Sequence, residues 1–264
     1  MTVIRLYEGN IDDRYKEYEE LLIRRDQLYE EASSILITYT KEFGDLITSN
    51  FELKIECIKK KKAIAYCGKM INRGVQIDAA MMNQEIDRDM QLYYAELDDM
   101  IRKNNASKNA ETVPEFRVQR AKKIYRRLAR QIHPDVNRKT TEDSDLKKLW
   151  DKIAKAYKLY DVDELEDLEF LVRIKLDDMG EAGFVRAYDN VEDRISRIEN
   201  EINEILTTEP YTFVKILEND KSITEYREKL QAEHEEYEKY LKELTDTLEN
   251  MLREGGVSLT WQMN

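Results

Sequence analysis

Proline and glycine are scarce in this sequence, with 3 prolines and 8 glycines among 264 residues. Because these two residues supply most sharp turns, a chain with so few of them makes few turns and has long elements. Charged residues make up 37 % of the chain, and apolar residues recur along it at the three- and four-residue spacing of helices. The sequence therefore predicts an all-α protein built from long amphipathic helices.

Cysteine and histidine are also rare, and long apolar runs are absent. Cys57 and Cys67 fall on one predicted helix, about 15 Å apart along its axis, which is too far for a disulfide, so we expect free thiols. His133 and His234 are the only histidines, so we expect no histidine-rich metal site, no other metal and no cofactor. Without an apolar run of about 18 residues or a signal-peptide pattern, we expect no membrane span and a cytoplasmic location.

The chain is acidic overall but carries one basic segment. Its formal net charge is −12, which argues against general attraction to nucleic acid or to an anionic membrane. Residues 113–135 contain seven basic and two acidic side chains, so this segment carries +5 and leaves −17 for the remainder. A basic segment in an acidic protein predicts a partner with an acidic surface.

Two predicted amphipathic helices flank the tripeptide His133-Pro134-Asp135. On a helical wheel, residues 118–132 form an apolar face, made of Val118, Ala121, Tyr125, Leu128 and Ile132. The other side of this helix carries a basic stripe, made of Arg120, Lys123, Arg127 and Arg130. Residues 146–160 form a second apolar face, made of Leu146, Leu149, Trp150, Ile153, Ala156, Tyr157 and Tyr160. Packed antiparallel, the helices would bury a common seam with the tripeptide at one end.

The tripeptide itself predicts a rigid, polar turn. Pro134 cannot continue a helix, and it restricts His133 to an extended backbone conformation. Asp135 then offers a carboxylate that an arginine of a partner could bind through two hydrogen bonds. No serine or cysteine nucleophile adjoins His133 in a recognisable motif, so we expect a binding function and no enzymatic activity.

Three spaced elements around this turn agree with one known family. The run Tyr125-Arg126-Arg127-Leu128-Ala129 precedes the turn, Asn137 follows it, and the next helix has Trp150, Ile153 and Ala156-Tyr157. In this pattern residues 117–161 resemble the J-domain of the DnaJ/Hsp40 co-chaperones. The resemblance implies docking on an Hsp70-type chaperone and stimulation of its ATP hydrolysis. The implied contact residues are His133, Pro134, Asp135, Arg120, Lys123, Arg126, Arg127 and Arg130.

The sequence departs from that family on both sides of the matched residues. The short first helix of J-domains has no clear counterpart, since the nearest tyrosine-leucine pattern, at residues 93–97, lies inside a long helical pattern. No glycine/phenylalanine-rich region and no cysteine-rich zinc module follows. The resemblance therefore implies a J-like unit embedded in helical arms, as in specialised co-chaperones.

The helical pattern divides the chain into three predicted segments. They are a long-helix bundle over 1–111, a J-domain-like unit over 112–178, and a helical hairpin or coiled coil over 179–264. Within the first segment, the polar cluster 48–50 predicts a break between two helices, and 104–111 predicts a linker. We expect the arms to recruit a client or a second chain, and long helices of this kind also favour a homo-oligomer.

Two alternatives use the same residues differently. A coiled-coil scaffold with a degenerate J fold would use the turn only as structure, and its assembly would not depend on Asp135. A nucleic-acid-binding protein would use the basic helix and would bind with steep salt dependence. The overall negative charge disfavours this second alternative.

Overall fold

The computed structural model describes residues 2–110, 113–183 and 191–254, and all regular secondary structure in this part of the chain is helical. The α-helices are α1 (Thr2–Asn72), α2 (Ala79–Asn109), α3 (Glu115–Ile132), α4 (Lys139–Glu142), α5 (Ser144–Lys158), α6 (Val162–Met179), α7 (Val191–Thr207), α8 (Val214–Leu217) and α9 (Asp220–Glu254). The predicted all-α class is confirmed. None of these helices has the length and apolar character that crossing a bilayer requires.

The chain forms two compact units, and α1 contributes to both. The first unit comprises Met1–Ile35 and Glu111–Thr212, and the second comprises Leu36–Ala110 and Phe213–Asn264. These units interleave along the sequence, whereas the sequence pattern divides the chain into consecutive segments. The helices α7 and α9, which the sequence groups as a hairpin, bury their apolar residues in different clusters. The predicted boundary between residues 111 and 112 lies outside the described residues.

Helix α1 continues through the position where the sequence predicts a break. The prediction at 48–50 is wrong because Thr48 and Asn50 are buried and do not cap a helix. The Asn50 amide donates to the carbonyl oxygen of Leu230 at 2.9 Å, and its oxygen lies 2.8 Å from Nδ1 of His234. Polar residues that would favour a helix end therefore serve as tertiary partners within the second unit.

The linker predicted at 104–111 is also wrong over most of its length, because α2 continues to Asn109. Asn104 is buried in this helix, and its amide donates to a carboxylate oxygen of Asp45 at 2.7 Å. This contact joins α2 to α1. The start of α2 is fixed by Asp78, whose side chain accepts two backbone hydrogen bonds from the first turn.

The core of the first unit lies among α3, α5 and α6. Its buried side chains include Ala121, Ile124, Tyr125, Leu128, Ala129 and Ile132 of α3, Leu146, Ile153, Ala156 and Tyr157 of α5, and Val162, Leu165, Leu168 and Val172 of α6. Asp143 and Asp161 cap α5 and α6 by accepting hydrogen bonds from backbone N–H groups. The buried positions of α6 recur at helical spacing as far as Val172.

Candidate partner-binding site at the His133-Pro134-Asp135 turn

Helices α3 and α5 pack against each other in opposite directions. The ring of Tyr125 stacks on that of Tyr157 with centroids 4.0 Å apart. Near the end of α3, the ring of His133 contacts the ring of Trp150 edge-on, with centroids 4.5 Å apart. The contacting positions rise along the first helix and fall along the second, so the pair is antiparallel. The turn that carries Pro134 therefore stands at one end of an aromatic seam.

The turn is held by a dense set of hydrogen bonds. His133 has the extended backbone expected before proline, with φ −61° and ψ 132°, and α3 ends there. The backbone N–H of Asp135 donates to Nδ1 of His133 at 3.0 Å. Asn137 is fully buried, and its amide donates to the carbonyl oxygens of Gln131 at 2.9 Å and Gly183 at 2.8 Å. The backbone after Asp135 is thus fixed to both α3 and the residues that follow α6.

His133 is an internal residue of this turn, only 6 % exposed. Because its Nδ1 accepts a hydrogen bond, the neutral ring carries its proton on Nε2. That nitrogen lies 3.4 Å from Oδ2 of Asp26 in α1, and the hydroxyl of Tyr125 donates to the same oxygen at 2.6 Å. Burial alone would raise the pKa of Asp26, but the hydrogen bonds from His133 and Tyr125 outweigh burial and lower this pKa. His133 therefore positions the turn.

Asp135 differs from His133 in being accessible. Its side chain is 46 % exposed, and its Oδ2 lies 4.0 Å from Nδ1 of His133. The next residue, Val136, is fully buried in a cluster with Tyr18 of α1 and Ile195 of α7. One side of the turn is therefore covered by α1 and α7, while the carboxylate of Asp135 remains available to solvent.

The basic side chains of α3 fall into two groups. The paired group is Arg117 with Asp163 at 2.9 Å, Arg120 with Glu166, Lys122 with Glu31 of α1 at 3.0 Å, Arg127 with Glu169 at 2.6 Å, and Arg130 with Glu20 of α1. The hydrogen bonds from Arg127 lower the pKa of Glu169 below its usual value. Lys123 and Arg126 are exposed and form no ion pair with any residue that the structure describes. Of the predicted docking cations, these two alone are unoccupied within the described part of the chain.

Sequence reasoning missed the acids that meet these cations. Asp163, Glu166 and Glu169 lie three residues apart on α6, and their arginine partners ascend α3 in the same order, so the two helices run side by side in the same direction. The three-residue spacing shared by Arg117–Arg120 and Asp163–Glu166 is a signal that the sequence contains. Arg120 and Arg127, in contrast, lie seven residues apart and their partners only three. Asp26 has no such signal, because only the fold brings this residue to the turn, more than one hundred positions along the chain from His133.

No protein-family model, no curated protein and no solved structure matches this chain. The J-domain resemblance therefore rests on the residues of the turn and its flanking helices alone.

Proposed function

We propose that this chain is a J-domain-like adaptor of an Hsp70-type chaperone. It docks through the His133-Pro134-Asp135 turn and helix α3, and it stimulates ATP hydrolysis by that chaperone. The observation that carries the proposal is the placement of Asp135, an exposed carboxylate on a hydrogen-bonded turn at the end of a basic helix. The remaining helices serve as arms that hold a client or partner protein.

The docking surface has two signs of charge. Asp135 accepts hydrogen bonds from an arginine of the chaperone, and Lys123 and Arg126 face acidic side chains of the same partner. Pro134 and His133 contribute by fixing the direction in which the carboxylate points. A rigid turn of this kind reduces the conformational entropy that binding has to overcome.

A direct binding measurement tests this proposal. The chain is titrated into several ATP-bound Hsp70 proteins, and Asp135→Asn is compared with Asp98→Asn, a control at an exposed position of α2 without an ion pair. Losing one charge-assisted hydrogen bond costs about 1.5–3 kcal/mol, so we expect Asp135→Asn to weaken binding by about tenfold or more. The Asp98→Asn variant should bind like the unmodified chain. Failure of the unmodified chain to bind any of the chaperones would refute the proposal.

A second candidate function is a scaffold that uses the J-like helix pair only as structure. The internal contacts of the chain favour it. Four arginines of α3 are already paired with acids of the same chain, and His133 is buried. The leucine seam of α9 is also buried within the second unit, at Leu230, Leu244, Leu248 and Leu252. A scaffold of this kind would bind its partner equally well with Asp135→Asn, whereas the adaptor would not.

A further inference from the structure

A cleft of about 410 Å³ opens between α1, α3 and α5, within the first unit and beside the turn. Its walls combine aromatic and charged side chains. The lining residues that matter here are Asp26, Tyr29, Glu30, Trp150, Tyr157 and Lys158. None of them was singled out from the sequence as a binding residue, because the helix that carries the first three lies far from the other two helices along the chain.

Tyr157 supplies an unsatisfied polar group to this cleft. The residue is only 3 % exposed, and its hydroxyl forms no hydrogen bond with any residue that the structure describes. Buried hydroxyls nearly always have a hydrogen-bond partner, so an orphaned one requires an explanation. The ring itself is well held by the stack with Tyr125. A ligand that donates a hydrogen bond to this oxygen would complete the site.

Glu30 supplies a negative charge to this cleft. This half-buried carboxylate has no ion pair with the described residues, and burial raises its pKa. Asp26 adds a second carboxylate, which is already paired with Arg25 at 2.9 Å, and Lys158 supplies a positive charge. Burial is the main cause that raises the pKa of Tyr157 and raises the pKa of Tyr160 to about 12, and the negative charge of Glu30 contributes to both increases. The half-buried Glu30 carboxylate, which has no direct ion pair among the described residues, is therefore the group of this cleft that favours a cation.

Two aromatic rings favour a planar cation over a compact one. Tyr29 is 53 % exposed and Trp150 is half-buried, so both present ring surface to the cleft. A guanidinium group stacks on aromatic rings and donates several hydrogen bonds in one plane, which a lysine ammonium cannot do. Tyr29 and Lys158 are exposed side chains of the cleft, and the Tyr157 hydroxyl is buried, so a ligand would have to displace exposed side chains to reach it.

We propose that this cleft binds an arginine guanidinium, which donates to the Glu30 carboxylate and the Tyr157 hydroxyl and packs against Trp150. The ligand is either free arginine or an arginine side chain of a polypeptide, since both present the same group. His133 lines the same cleft, but the groups that would contact the ligand are not docking residues of the proposed chaperone function. Arginine binding is therefore independent of that function and is tested on the isolated chain.

Tryptophan fluorescence provides the test, because Trp150 lines the cleft. The chain has two tryptophans, so Trp261→Phe is introduced to leave Trp150 as the reporter. The protein is titrated with N-acetyl-arginine amide, with free L-arginine and with the uncharged analogue N-acetyl-citrulline amide, at constant ionic strength. We expect saturable binding of arginine in the millimolar range, at least about fivefold tighter than citrulline. The relative affinities of the free and blocked arginines distinguish the two sources.

Matched variants assign the binding to this cleft. Glu30→Gln and Tyr157→Phe should each weaken arginine binding at least about threefold, because each removes from the cleft one group that the ligand contacts. Glu164→Gln, at an exposed position of α6, should leave binding unchanged. Tyr157→Phe removes only an unpartnered hydroxyl, so its melting temperature should equal or exceed that of the parent, which separates lost binding from lost folding. Absence of saturable binding, equal binding of citrulline, or unaltered affinity in both cleft variants would overturn the proposal.

Discussion

Arg127 of α3 is bound by Glu169 of α6 through two hydrogen bonds, from Nε at 2.6 Å and from a terminal nitrogen at 2.8 Å. Arg120, two turns earlier on α3, is paired with Glu166, which lies one turn earlier on α6. Acids of the chain itself thus occupy two of the cations, Arg120 and Arg127, that the J-domain resemblance implies as docking residues. If the proposed docking uses this face of α3, helix α6 is an internal competitor of the partner.

Removing this competitor should strengthen partner binding. In a Glu166→Gln/Glu169→Gln variant, Arg120 and Arg127 become available, and we expect affinity for an ATP-bound Hsp70 to rise about two- to fivefold. The loss of stability should stay below about 1 kcal/mol, because exposed ion pairs are screened by water. Isothermal titration and thermal melting measure the two effects. Unchanged affinity would mean that Arg120 and Arg127 do not contact the partner.

Asp26 should matter for stability more than any exposed acid. Asp26→Ala leaves the Tyr125 hydroxyl and Nε2 of His133 without their shared acceptor in a buried site. Leaving buried donors unpaired costs about 1–3 kcal/mol, and urea unfolding followed by circular dichroism measures this loss. Asp98→Asn serves as the surface control. A free energy of unfolding for Asp26→Ala within error of the control would show that this hydrogen-bond centre does not hold the turn.

The helices that flank the turn were predictable because their apolar faces follow a strict helical period. The sequence places one helix at 118–132 and the other at 146–160, and the structure has them at Glu115–Ile132 and Ser144–Lys158. The proline fixes the end of the first helix locally, through its own ring. Local sterics and periodicity determined these elements, so no knowledge of tertiary contacts was needed.

Tertiary contacts account for what the sequence did not predict. Asn50 and Asn104 look like helix-ending residues, yet both lie inside long helices because distant partners satisfy their amides. The acids near the turn and in the cleft could not be predicted for the same reason. Asp26 and Glu30 reach the turn and the cleft only through the packing of α1 against α3 and α5. A helical wheel of α1 does not distinguish these two residues from the exposed acids of the same helix.

The two carboxylates near the turn should affect acid stability with opposite signs. The pKa of Asp26 is lowered in the folded chain, so its stabilisation is present above its unfolded pKa of about 3.9 and is lost as pH falls through the folded value. Burial raises the pKa of Glu30, so ionisation of this group reduces stability as pH rises through its folded value.

Unfolding free energies measured at about pH 7 and about pH 3 test these signs. Glu30→Gln should be more stable than the parent chain at the higher pH, with the advantage shrinking at the lower pH. Asp26→Ala should show its largest deficit at the higher pH. A Glu30→Gln variant that is destabilised at neutral pH would contradict the assignment of Glu30 as a half-buried charge whose burial lowers stability.

A pair of glycines in α1 tests how closely α2 approaches in the second unit. A Cβ at Gly44 would overlap Oδ1 of Asn104 and lie 2.9 Å from its Cγ, and that buried side chain is held by Asp45. Gly44→Ala should therefore cost about 1–3 kcal/mol. A Cβ at Gly68 meets only Met251 Cε at 3.6 Å, so Gly68→Ala should gain up to about 1 kcal/mol from helix propensity. Chemical denaturation measures the free energy of unfolding of both variants. Equal changes in the two variants would contradict the close approach of Asn104 to Gly44.

The most direct test of the central claim is the rate of single-turnover ATP hydrolysis by an Hsp70 in the presence of this chain. We expect the unmodified chain to accelerate hydrolysis. The Asp135→Asn chain should reduce this acceleration by about tenfold or more, with helicity unchanged. The control Asp98→Asn should stimulate as the unmodified chain does. Equal stimulation by the Asp135→Asn chain, or no stimulation by the unmodified chain across several Hsp70 proteins, would contradict the claim that the turn is a chaperone-docking site.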